Sequence, residues 1–207
     1  MSFENYKIEL NNALETIKSE EINIFLEILK NIISNQGTVI FTGNGGSFAN
    51  SLHIAGDFQK TFASYNASFH AIGENFCSIS AISNDYCFEE SFAIQILPLI
   101  KKNIPTLIVY LSGSGNSKNI VLAAQEISKL KDESYFIKSI SISAYGGGAI
   151  SKLVDNPIIL KIKDMEIAED IQVIIFHYLK QKLIDIFPIK KENYVKYEQR
   201  INNGDIV

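Results

Sequence analysis

Histidine is scarce in this chain, with three in 207 residues, and two of the three stand near carboxylates. His53 and Asp57 are four residues apart, so on a helix the imidazole and the carboxylate share one face. That arrangement suits metal ligation or acid/base work. His177 follows Glu169 and Asp170 by about two helical turns within EDIQVIIFH. Taken alone, a histidine in an apolar helix is more often a hydrogen-bonded core residue than a catalyst. His70, inside a short apolar run with no local partner, reads as structural. Two loops carry a different chemistry: Gly43-Asn44-Gly45-Gly46-Ser47 and Ser112-Gly113-Ser114-Gly115-Asn116-Ser117. Their small residues let the backbone fold tightly and aim free amides at an anion. Ser47, Ser112, Ser114 and Ser117 add hydroxyl donors, a neutral set that suits a phosphate monoester. Neither loop has the spacing G-x-G-x-x-G or ends in Gly-Lys-Ser/Thr, which disfavours a dinucleotide site and excludes a P-loop.

The elements that must position these loops are legible in the apolar pattern. Residues 2–35 have helical period. Phe3, Tyr6, Leu10, Leu14 and Ile17 form one stripe, and Ser19 is placed to cap a second helix bearing Ile22, Phe25, Leu26, Leu29, Ile32 and Ile33. Gln36-Gly37 stops it, and the two helices are expected to pack on the domain or on another subunit. Short apolar runs then alternate with helical stretches. Strands are expected at Thr38–Thr42, 68–72, 105–111, Ile137–Ser143 and 157–162. Helices are expected at 47–62, 87–101, 117–131 and 165–187, with a loop between 73 and 86 and a glycine break at 146–148. Strands apolar throughout and joined by helices specify a parallel sheet covered on both faces. With right-handed crossovers the fold class is α/β, a three-layer α/β/α sandwich of flavodoxin-like kind preceded by N-terminal helices. Residues 1–187 are expected to be a single domain including the helical extension (1–36), and 188–207 a polar C-terminal tail.

Composition narrows the setting. Hydrophobic residues make up 46% and charged residues 20%, which excludes a disordered or collagenous chain. Net charge is −4 and Arg200 is the only arginine, so a nucleic-acid binder working by phosphate neutralisation is disfavoured. Cys77 and Cys87 lack metal spacing and read as reduced thiols. The N-terminus MSFENYKIEL does not read as a signal peptide, and no apolar run reaches the ~18–20 residues of a membrane span. The expectation is a soluble cytoplasmic protein. The residues themselves lead as far as a phosphate-binding α/β domain with candidate acid/base groups.

In combination the motifs are more specific. VIFTGNGGSFANSLHIAGDF and LSGSGNSKNIVLAA resemble the two signature loops of the SIS (sugar isomerase) family, in its phosphoheptose isomerase branch. Asn84-Asp85-Tyr86 is similar to the Asn-Asp element between those loops, and EDIQVIIFHYL to the histidine-bearing C-terminal helix. The resemblance runs in order over about residues 1–187. It implies an aldose–ketose isomerase acting on sedoheptulose 7-phosphate in bacterial surface heptose biosynthesis (lipopolysaccharide or capsule), assembled as a homotetramer with shared sites. Carried over residue by residue, it implies substrate contacts from Asn44, Gly45, Gly46, Ser47, Asn84 and Asp85. It implies phosphate contacts from Ser112, Gly113, Ser114 and Ser117. His53, Asp57, Glu169 and His177 fall on zinc-binding positions, Asp57 on the catalytic base and His177 on the general acid. Three positions depart from the family pattern: Asp57 stands where glutamate is usual, Glu169 where glutamine is usual, and Gly113 where a hydroxyl residue is usual. Two carboxylates, Asp57 and Glu169, therefore remain candidates for the base, and both belong to the expected substrate-binding set. The alternative is a non-catalytic SIS protein, either phosphosugar-binding or replication-initiator-associating. The presence of His177 argues against the replication-initiator-associating reading, and the lack of a basic face against a DNA-binding phosphosugar regulator.

Overall fold

A computed structural model of the protein describes residues 1–130 and 135–188. Five parallel strands form one sheet, β1 (Thr38–Thr42), β2 (Ser68–Ala71), β3 (Thr106–Ser112), β4 (Ile137–Ser143) and β5 (Asn156–Ile159), in the order β2-β1-β3-β4-β5. Alternation along β1 and β3 assigns each residue to a layer. Val39, Phe41, Leu107, Val109 and Leu111 enter one apolar cluster, while Ile40, Ile108 and Tyr110 enter the other. Every residue of β1 and β3 is buried, as central strands covered on both faces require. The three-layer expectation is met.

The first layer holds helices α1 (Phe3–Glu15), α2 (Ser19–Ser34), α3 (Gly45–Phe62) and α7 (Met165–Ile186). Its centre is a group of aromatic rings. Phe176 of α7 meets Phe25 of α2 and Phe41 of β1 edge-on, each at 5.4 Å between centroids, and Phe58 of α3 at 6.2 Å. The N-terminal helices thus share the core of the layer, and Tyr6 donates to Asp170 of α7 at 2.6 Å. The second layer holds α5 (Ser91–Ile96) and α6 (Lys118–Ser128), with Ile79 of α4 (Phe76–Asp85) packed against it.

Several local expectations are corrected. Ser19 does not cap α2: Lys18 holds the N-cap position without a side-chain bond, whereas Ser2 caps α1 through Asn5. The stretch read as a loop before residue 87 contains α4, capped by Asn75, which accepts from the Ser78 amide at 3.1 Å. Phe76, Ile79 and Ile82 carry a three-residue helical spacing, a short signal that the loop reading passed over, although only Ile82 is fully buried. The expected helix 87–101 is broken into a 3-10 turn, α5 and a second 3-10 turn, Leu97–Leu99. Pro98 explains why α5 stops at Ile96, since it lacks an amide and crowds the preceding turn. The last strand ends at Ile159 and accommodates Pro157 because β5 lies at the sheet edge. The tail expectation falls, from residue 189 on, outside the described residues.

The strand order sets the position of the site. From β1 the chain winds outward to β2, then returns to the other side of β1 for β3. The C-terminal ends of β1 and β3 therefore flank the point where the winding direction reverses, where open parallel sheets leave a crevice.

Candidate active site

Both glycine-serine loops open into that crevice. Asn44, Gly45, Gly46 and Ser47 from the first loop and Ser112, Gly113, Ser114 and Ser117 from the second line a cleft of about 280 Å³. The loops are tied together by Asn44 and Asn119, whose amides exchange hydrogen bonds of 3.0 and 2.9 Å. Ser112 is folded into its own loop, where its hydroxyl accepts from the Gly115 amide at 3.0 Å. Asn116 steadies the loop from the other side by accepting from the Ala149 amide at 2.9 Å.

The first turns of α7 close the cleft, and two glycines admit them. A β-carbon on Gly46 would fall 2.0 Å from the Glu169 carboxylate, and one on Gly113 would fall 1.7 Å from the Met165 sulfur. The missing hydroxyl at Gly113 is thus matched by a methionine that occupies its space. Asn44 places no side-chain bond on the start of α3; Glu169 takes that part, accepting from the amide and hydroxyl of Ser47. Burial pushes the Glu169 carboxyl above its ordinary value, with Glu166 and Asp170 adding to the rise against the Ser47 bonds. Gln172, fully buried, clamps α3 to α7: it donates to Ser47 at 3.3 Å and accepts from Asn50 at 3.0 Å.

Farther along the same two helices lies a second group. The imidazole Nε2 atoms of His53 and His177 are 3.0 Å apart, and Asp57 Oδ2 lies 4.0 Å from His177 Nε2. Lys180, one turn beyond His177, donates directly to that same Asp57 oxygen. One ligand atom from each of His53, Asp57 and His177 lies within 4.8 Å of the others. Ligands about 2.0–2.1 Å from a tetrahedral zinc stand about 3.3 Å from each other, so this donor set fits such an ion. Burial would raise the Asp57 carboxyl, but the bond and charge of Lys180, with help from the two histidines, hold it below the usual carboxylate value. Burial lowers His177, and the charges of Lys180 and His53 lower it further against the pull of Asp57.

The His177 shift has a consequence for stability. Because its folded value lies below the ordinary 6.5, the unfolded chain binds a proton where the folded one does not. Stability is therefore lost as pH falls through the interval just below 6.5, and the contribution is constant above it. Thermal melts from about pH 7 to pH 5 should show a steeper decline for the native chain than for His177→Asn. Parallel curves would refute it.

The structure brings His53, Asp57 and His177 together, and gathers the loop residues with Glu169 in the cleft. It does not bring Glu169 to the histidines: eight residues of helix, a rise of ~12 Å, separate it from His177. Asn84 and Asp85 bond to each other at the exposed end of α4 and do not line the cleft. Sequence reasoning missed Lys180, Asn119, Gln172 and Met165. The spacing of Lys180 from His177 was the only local signal among them.

Residues 3–131 match the family model described as the SIS domain. A phosphoheptose isomerase of Helicobacter pylori is 29% identical over 176 residues, 84% of this chain and 88% of that protein. The phosphoheptose isomerase of a Nitratiruptor species is 32% identical over 158 residues, 75% of this chain and 79% of that protein. Among solved structures, a phosphoheptose isomerase from Neisseria gonorrhoeae superposes with a TM-score of 0.75 at 22% identity, covering 87% of this chain and 94% of the other. At that identity the likeness speaks for the fold.

Proposed function

Because the chain belongs to the SIS domain family, in its phosphoheptose isomerase branch, we propose that it is an aldose–ketose isomerase converting sedoheptulose 7-phosphate to D-glycero-D-manno-heptose 7-phosphate, toward bacterial surface heptoses. One observation carries the reading: a cleft of neutral donors and a carboxylate–imidazole group lie at separate stations along the same pair of helices, α3 and α7. The substrate has the same polarity, with its phosphate on C7 and its reacting carbons, C1 and C2, at the opposite end.

Ser114, Ser117 and the amides of Gly45 and Gly46 hold the phosphate, helped by the N-terminal end of α3. Ser112 and Gly113 shape that loop, and Asn44 orients the sugar from its bonded pair with Asn119. Position divides the two carboxylates. Glu169 stands at the phosphate end and acts in substrate binding, while Asp57 stands beside His177, where C1 and C2 would lie. Asp57 removes the proton from C1 of the ketose and delivers it to C2, passing through a cis-enediol. Neutral His177 gives a proton to O2 and takes one from O1, so charge and protons balance. His53, Asp57 and His177 would hold a zinc ion; Glu169 stands too far along α7 to join them within this chain. When bound, zinc supplies a Lewis acid that polarises the carbonyl.

The same reading takes residues 1–187 as one SIS unit acting in the cytoplasm, and no helix among the described residues is long and apolar enough to cross a membrane. It also takes the protein as a homotetramer. Phe3, Phe76 and Tyr86 are 78%, 76% and 69% exposed, which supports burial between subunits. Asn84 and Asp85, remote from their own cleft, then serve a neighbour's.

The test is an NMR time course of purified protein with sedoheptulose 7-phosphate, with and without a chelator. The aldoheptose phosphate should appear, and chelation should slow its formation. Conversion that survives chelation would remove zinc from the reading and leave acid/base catalysis alone. No conversion with any added divalent metal would overturn the enzymatic reading.

A further inference from the structure

Among the described residues, Lys180 is the one strong cation that meets the His53–Asp57–His177 group. It lies on α7 at the i+3 position from His177, so helix geometry presents both to the same stretch of α3. Its ammonium donates to Asp57 Oδ2, the carboxylate oxygen that also lies 4.0 Å from His177 Nε2. The pair is sheltered, with side-chain exposures of 21% for Lys180 and 27% for Asp57. A carboxylate already neutralised by an ammonium is a weaker ligand for a dication, and the ammonium repels a second cation placed a few ångströms away. The flexible four-carbon stem of lysine lets that head swing out when a metal arrives.

We infer that Lys180 is a resident counter-cation that competes with a divalent metal for Asp57 and keeps metal at this centre weakly held and exchangeable. The inference rests on the zinc reading given above. Two cation occupants alternate at one carboxylate. With lysine engaged, the site is neutralised by the chain itself; with metal engaged, the lysine head turns to solvent.

Zinc chloride titrated calorimetrically into the full-length, chelator-stripped protein tests this directly, without reference to turnover. Lys180→Gln keeps a polar side chain but removes the charge, and it should bind zinc at least about tenfold more tightly than the native chain. Lys180→Arg keeps the charge and should stay within about threefold of native. In an Asp57→Asn background the Lys180→Gln change should have little effect, because the contested carboxylate is gone. Lys180→Met repeats the neutralisation should the glutamine variant fold poorly by its melting curve. Unchanged or weaker zinc binding in the neutral variants, with binding retained by the native chain, would overturn the inference and leave the zinc reading standing. Lys180 would then be a support that orients the ligand. No zinc binding by native and neutral variants alike would overturn both. Binding that appears only in the neutral variants would support the competition in its strongest form.

Discussion

Asp57→Asn should lower the turnover number for sedoheptulose 7-phosphate by about 10²–10⁴-fold, the range expected when a positioned general base is removed. Asparagine is nearly isosteric and still meets Lys180, but it cannot accept the proton from C1. Binding of the phosphorylated sugar should survive, because the phosphate end is held by Ser114, Ser117 and the start of α3, more than two helical turns away. Steady-state kinetics with a separate binding titration will separate the two effects: a fall in kcat at near-constant affinity is the expected result. Full activity in this variant would move the base to Glu169 or sink the enediol assignment. Glu169→Gln provides the contrast. It restores the residue usual in the family at that position, keeps an acceptor for the Ser47 amide, and should reduce the turnover number far less.

The second large effect is on stability. Phe176→Ala should destabilise the fold by about 3–5 kcal/mol, the cost of truncating a fully buried phenylalanine. Phe176 is where three elements meet: its ring packs edge-on against Phe25, Phe41 and Phe58, and such pairs contribute beyond their buried area. At about 2–4 °C per kcal/mol for a chain of this size, melting should drop by roughly 6–20 °C. Urea unfolding measures the same loss. A cost below about 1 kcal/mol would mean that the layer collapses around the gap without penalty. Because His177 is the next residue along α7, any surviving fold should also hold that imidazole less firmly against His53. Phe176→Leu, which fills most of the volume, should be milder on both counts.

These two variants separate what holds the helices in register from what the helices then carry. The role proposed for Asp57 requires α7 to lie against α3 in one register, and the Phe176 contacts support that register. Gln172 adds a polar clamp at the cleft end of the same pair. Exposed ion pairs such as Lys7–Glu4 and Lys30–Glu27 contribute little by comparison.

Much of this was determined by the sequence alone. The runs TVIFT and TLIVYL are apolar almost throughout, so they could only be central strands of a parallel sheet covered on both faces. The small residues after each run marked the two loops that line the crevice, and the four-residue spacing of His53 and Asp57 put them on one helical face. These are local properties, in which neighbours in the chain are neighbours in space. What the tertiary structure decided involves partners far apart in the chain. Helical period says which face a side chain occupies, but not which helix it meets or at what height. The meeting of His53 with His177, the capture of Asp57 by Lys180, and the seating of Glu169 on Gly46 and of Met165 on Gly113 all depend on how α7 slides along α3. The packing of buried rings and amides between them sets that offset. The helix α4 is a different case: Phe76, Ile79 and Ile82 do carry a helical spacing, but the segment is short and only Ile82 is fully buried, so the local signal was weak.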